Sequence, residues 1–242
     1  MKKYVITKSM NRVDCVNLIT KIHNELLKKQ FFINKIKELN TKIKVRKHAR
    51  LRGNKSLDKI YTSSSYTYNG LKMHFLIDKN NIFTNIFNIS PVDSPVVQYM
   101  LIQKDETALI FTQHLLDRYN QRLLKKSNMS YKDLIVYLIL NNNIGRLIFD
   151  YENTNKIVQR INEGFIYGKR YDGYIVFNTF YDSISDKDDE MKYLARKSKS
   201  IIDNLSKSDM DEFKIVYGQF LDDKITQEQL DFFLYQKGIT FD

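Results

Sequence analysis

The chain has 242 residues, 43% hydrophobic and 28% charged, and a formal net charge of +11 at pH 7. That apolar share excludes an intrinsically disordered chain, and this length buries a sizeable core without covalent staples. A single cysteine, Cys15, excludes an internal disulfide framework and a cysteine-cluster zinc site, while four scattered histidines leave little for an imidazole-built metal centre.

From the N-terminus, Met1–Lys8 carries basic residues without the apolar core of a signal peptide, so a cytoplasmic, reducing compartment is expected. Residues 12–40 read as one helix, with Val13, Val16, Ile19 and Leu27, then Phe31, Ile36 and Leu39, near helical spacing. A Ser/Thr/Tyr-rich strand over 61–68 is joined through Asn69-Gly70, a tight-turn signal, to a partly alternating strand over 71–77. Further strands are expected at 82–89, 96–103 and 107–112. A helix then begins at Gln113, with Leu115, Leu116, Tyr119 and Leu123 on one side. Ser130 followed by Asp133 resembles a capping box opening a second helix to about Asn142. Its run Leu134–Leu140 is the longest apolar stretch, well short of the roughly 18–20 residues of a membrane span, and is expected in the core. Strands follow at 156–161, 165–169 and 174–181, separated by Glu163-Gly164 and Asp172-Gly173. Helices at 188–206, 209–222 and 226–236 complete the chain. The expected fold is mixed α+β, a mainly antiparallel central sheet with helices at both ends. No flexible linker divides it, so one unit is expected, comprising an N-terminal helix and basic arm (1–55) and an α+β domain (56–242).

Charge is unevenly spread. Residues 182–242 hold fourteen acids and nine bases, a balance of −5, which leaves +16 on residues 1–181. The densest basic stretch contains Lys42, Lys44, Arg46, Lys47, Arg50, Arg52 and Lys55 and no acid. It reads equally as a footprint for backbone phosphates and as a solvated connector. Lys169-Arg170-Tyr171, beside a hairpin turn, offers two more cations and a stacking ring. His74 lies in an apolar strand and reads as a hydrogen-bonded core residue, and Cys15 as an ordinary helix residue. The acid pairs Asp188-Asp189 and Asp222-Asp223 read as surface charge.

The segment with most chemistry is Gln113–Arg122. His114, Arg118 and Arg122 are spaced i, i+4 and i+8, which on an α-helix drifts only about 80° around the axis and gives one shared stripe. An imidazole that titrates near neutrality, with two fixed bidentate cations, matches the needs of metal-free cleavage of an RNA phosphodiester. The bland reading is equally available: a solvated helix face, with Asp117 as a local partner.

The order of strand, His-x-x-x-Arg-x-x-x-Arg helix, second helix and meander ending in Asn178-Thr179-Phe180 resembles small RelE-like toxin ribonucleases of the barnase–RelE type. The likeness spans about residues 107–182. It implies an endoribonuclease with His114 as general acid/base, Arg118 and Arg122 as phosphate ligands, and Thr179, with Tyr181, orienting substrate. No cofactor or metal enters that chemistry. The expected partner is nucleic acid, RNA before DNA, and no membrane. Two other classes remain open: a non-enzymatic nucleic-acid-binding or phage structural/packaging protein, and a protein-inhibitor module with a protein partner.

Overall fold

The structure is a computed structural model and describes residues 6–51, 61–78, 83–91, 95–103, 105–142, 144–145, 148–150, 154–183, 189–221 and 224–239. Five strands, β1 (Tyr61–Tyr68), β2 (Leu71–Asp78), β3 (Phe83–Asn88), β4 (Gln98–Ile102) and β5 (Ala108–Thr112), form an antiparallel meander. A second meander holds β6 (Phe149–Asp150), β7 (Lys156–Ile161), β8 (Gly164–Tyr171) and β9 (Tyr174–Tyr181). The two fuse because β9 pairs in parallel with β5, giving one nine-stranded sheet of order β1-β2-β3-β4-β5-β9-β8-β7-β6. The α+β class is therefore as the sequence indicates. Asn69 and Gly70 adopt φ of 50° and 94°, the left-handed conformations that a two-residue hairpin turn requires.

Helices cover both faces of this sheet. On the front lie α3 (Gln113–Tyr119), a π-helical turn (Asn120–Leu124) and α4 (Tyr131–Asn141). Their Leu115, Leu116, Tyr119, Leu134, Ile135 and Leu138 pack with Leu76, Ile86, Phe111, Ile166, Phe177 and Phe180. Ser130 caps α4 by accepting from the Asp133 N–H, as its spacing suggests. On the back, α1 (Arg12–Leu27) and α2 (Gln30–Leu51) cover the β2–β5 half through Ile19, Ile22, Leu26, Phe32, Leu39 and Ile43. The remaining helices, α5 (Asp189–Asn204), α6 (Lys207–Leu221) and α7 (Gln227–Gln236), cover the β6–β8 half around Phe149, Val158, Phe165 and Tyr167.

The single helix expected over 12–40 is thus two. Leu26 and Phe32 are both fully buried, yet six positions apart on an unbroken helix they would lie about 120° from each other around the axis. The break at Lys28–Lys29 turns both onto the sheet. Helix α2 continues to Leu51, so most of the basic stretch is helix and not connector. The two-residue β6 is too short to leave a pattern in the sequence.

One irregularity shapes the region of interest. In the β8–β9 register Tyr167 faces Thr179 while Gly168 faces Phe177, so Asn178 is an extra residue on β9. The bulge flips the alternation. Phe177 and Phe180 point to the front, whereas Thr179 and Tyr181 join the Tyr167 and Phe165 side at the back. Gly168 is required there: a Cβ would stand 2.1 Å from the Val176 carbonyl oxygen.

Candidate nucleic-acid site

Helix α3 starts where β5 ends. Thr112 caps it, its hydroxyl accepting from the Leu115 N–H at 3.3 Å and donating to the Phe177 carbonyl at 3.2 Å, which ties the helix start to β9. Burial of Leu115, Leu116 and Tyr119 leaves His114 exposed and Arg118 half-buried on the outer side, one turn apart. Arg118 donates to Gln121 of the following turn at 3.3 Å. Asp117 is not an ion-pair partner of this stripe, because its carboxylate accepts from the Tyr131 hydroxyl at 2.9 Å, and that hydroxyl accepts from Gln113 at 3.0 Å.

Arg122 is turned to the protein itself. From Asn120 the backbone is π-helical, with each N–H reaching one residue farther back. Strand β9 also runs four residues past Phe177, its last residue paired with β5, and exposes a carbonyl edge. The Arg122 guanidinium fills that gap: it donates to the Phe180 carbonyl and lies 3.9 Å over the Tyr181 ring. One of the two expected phosphate ligands is therefore engaged with the protein's own strand end. Thr179, through the bulge, faces the side of the sheet opposite α3 and is not gathered with His114 and Arg118.

Behind α3 sits a polar cluster that spacing alone does not signal. Fully buried Tyr119 donates to Glu163, whose carboxylate also accepts from Asn142 at 2.8 Å, while the Glu163 N–H donates back to Asn142 at 3.1 Å. Burial first, then the adjacent carboxylate, push the Tyr119 hydroxyl well above the ordinary phenol range. It is a locked, protonated donor that pins α3 and α4 to the β7–β8 turn. A cleft of about 660 Å³ opens between the return loop and α4, lined in part by Lys125, Lys126, Asn128, Tyr137 and Asn141; neither His114 nor Arg118 lines it.

The other expected contacts are dispersed. Lys169 is exposed on β8, but Arg170 is held by Asp150 through two bonds of 2.5 and 2.9 Å, a bidentate pair that fixes the short β6. Lys44 is exposed on α2, and Lys42 pairs with Glu38 at 2.6 Å. The side chains of Arg46, Lys47 and Arg50, and the whole of Arg52 and Lys55, lie outside the described residues. His74 is the hydrogen-bonded interior residue its strand suggests, with Nδ1 3.0 Å from the Ser65 hydroxyl. Cys15 is buried, and burial raises its thiol to about 11. No protein family, no curated protein and no solved structure matches the chain. Among the described residues no helix is long and apolar enough to cross a membrane.

Proposed function

We propose that the chain binds RNA and cleaves it without a metal, using the outer side of α3 as its catalytic surface, in the manner its RelE-like resemblance implies. His114 takes the proton of a ribose 2′-hydroxyl. The 2′-oxygen attacks the adjacent phosphorus, the bond from phosphorus to the 5′-oxygen breaks, and the departing oxygen takes a proton from solvent, leaving a cyclic phosphate and a 5′-hydroxyl. Arg118 neutralises charge growing on the equatorial oxygens. Arg122 shapes the helix end through Phe180 and Tyr181 instead of serving as a free ligand.

The observation that carries this reading is the position of His114 and Arg118. His114 stands exposed and Arg118 half-buried on the outer side of a helix that leaves the sheet at its parallel pair. Strand β5 leads to the front through α3, and β9 leads to the back through α5, so connections depart to opposite faces. In open sheets such a divergence at strand carboxyl ends is where ligands gather. With labelled RNA in chelator, His114→Ala is expected to lower the cleavage rate by at least about 100-fold and leave the urea midpoint unchanged. Cleavage by that variant at the wild-type rate overturns the assignment.

A second reading is favoured by the engaged Arg122, which removes one cation from the stripe: a nucleic-acid-binding protein without turnover. It predicts salt-dependent binding of RNA with no product in the same assay.

A further inference from the structure

An aromatic cluster lies on the back of the sheet at its outermost strand, far in the strand order from β9. Phe31 of α2 stacks on Tyr68 of β1, with ring centroids 6.3 Å apart and planes 17° from parallel, and lies 5.2 Å from Tyr66 of the same strand. Beneath it, Phe75 stacks near Tyr66 at 6.3 Å and meets Phe32 edge-on at 5.1 Å. Phe32 and Phe75 are buried, while Phe31 and Tyr66 are 36% and 39% exposed. The upper rings are therefore held on a rigid apolar foundation with part of their surface in water.

Cations frame these rings. Exposed Lys29 places its ammonium 5.6 Å over Tyr68. Phe31, Lys35, Glu38 and Lys42 return to within about 60° of one another around α2 and form a single stripe, in which Glu38 pairs with Lys35 at 2.8 Å and with Lys42 at 2.6 Å and leaves one net positive charge. Over Gln30–Leu51 the helix carries seven Lys and Arg against one acid, Glu38, and β1 carries no acid at all. Ring faces beside a helix of net positive charge suit one class of polyanion, a strand whose bases are unpaired, because a base inside a duplex has no free face to offer.

We propose that Phe31, Tyr66 and Tyr68 form a stacking platform for single-stranded nucleic acid, with Lys29 and the Lys35–Lys42 side of α2 following its phosphates. This surface is separate from α3 and binds whether or not His114 cleaves.

The chain contains no tryptophan, so Tyr66→Trp provides a single reporter, used together with His114→Ala so that no RNA is consumed. The chain is titrated with a 12-nucleotide oligo(U), oligo(dT), an abasic oligonucleotide of equal charge and a duplex. The two base-bearing single strands are expected to quench the emission to saturation, and their relative affinities separate RNA from DNA. The abasic strand and the duplex are expected to bind at least about tenfold more weakly. Adding Phe31→Ala is expected to weaken oligo(U) binding about tenfold with an unchanged salt slope, whereas Lys35→Glu with Lys42→Glu flattens that slope. Phe31→Leu, which keeps the apolar contact, is read alongside, and far-UV circular dichroism checks folding of each variant. Equal affinity for abasic and base-bearing strands, or no quenching by either single strand, overturns the platform. Emission that depends on protein concentration alone, with a dimer in sedimentation, assigns the surface to a second copy of the chain and overturns it equally.

Discussion

The His74 imidazole is 8% exposed, set between Ser65 on β1 and the Tyr99 ring. Burial lowers its pKa from 6.5 to about 4; Lys132 and Lys72 push in the same direction, and Asp133 opposes them. The unfolded chain takes up this proton near pH 6.5, whereas the fold refuses it until about pH 4. The stabilising contribution is thus complete above pH 6.5, declines as pH falls towards about 4, and is constant below that. His23, also lowered by burial, acts with the same sign. In urea titrations the midpoint is expected to fall between pH 7 and 4, and His74→Gln to make that fall shallower; an equal slope in the variant refutes the assignment. His74's interior role was legible because apolar neighbours flank it in sequence. The role of Tyr119 was only half legible, since its spacing marks a buried ring but its acceptor, Glu163, comes from 44 positions away.

At the scale of elements, local signals worked where the chain's own residues decide the conformation. Asn69-Gly70 marks the β1–β2 turn, Ser130 with Asp133 marks the start of α4, and the spacing of Leu115, Leu116 and Tyr119 marks the inner side of α3. The departures are set by packing across the molecule. Neither the α1–α2 break nor the π-helical turn contains a glycine or proline that would announce it, and the bulge at Asn178 is marked only by Gly168 on the strand opposite. Two of them matter for the site: the turn holds Arg122, whose guanidinium binds the end of β9, and the bulge sends Thr179 to the other side of the sheet. Gly168 tests the bulge directly. An added methyl would meet the Val176 carbonyl and the Phe177 backbone, which belong to a central strand and have no freedom to retreat. Gly168→Ala is expected to cost about 1–3 kcal/mol in urea denaturation, as overpacking of a tight interior does. A variant as stable as the parent would show that β8 and β9 can part at this point.

For the whole molecule, the strand order was the least legible property. Two meanders can be read along the chain, but their fusion through β5 and β9 depends on pairs separated by some 66 positions, and no periodic pattern encodes those. The same fusion leaves a broad back face that two separate helical layers must cover. Helices α1 and α2 cover the β2–β5 half, so Ile19, Ile22, Leu26, Phe32, Leu39 and Ile43 are fully buried against Met73, Phe75, Ile77, Phe87 and Met100. Burying each such side chain contributes about 1.5–3 kcal/mol, so six of them rival the roughly 5–15 kcal/mol by which a domain is stable at all. The N-terminal helix and basic stretch, read from sequence as part of one unit with the α+β domain, thus contribute a large share of the interior. A chain beginning at residue 56 exposes Met73, Phe75, Ile77, Phe87 and Met100, among others, on one sheet face and leaves β1 and β2 without their covering layer. It is expected to aggregate or to bind a hydrophobic dye strongly, with no cooperative urea transition. A sharp transition at the full-length midpoint would show instead that the sheet and its front helices hold together unaided, and that α1 and α2 dock onto a finished surface.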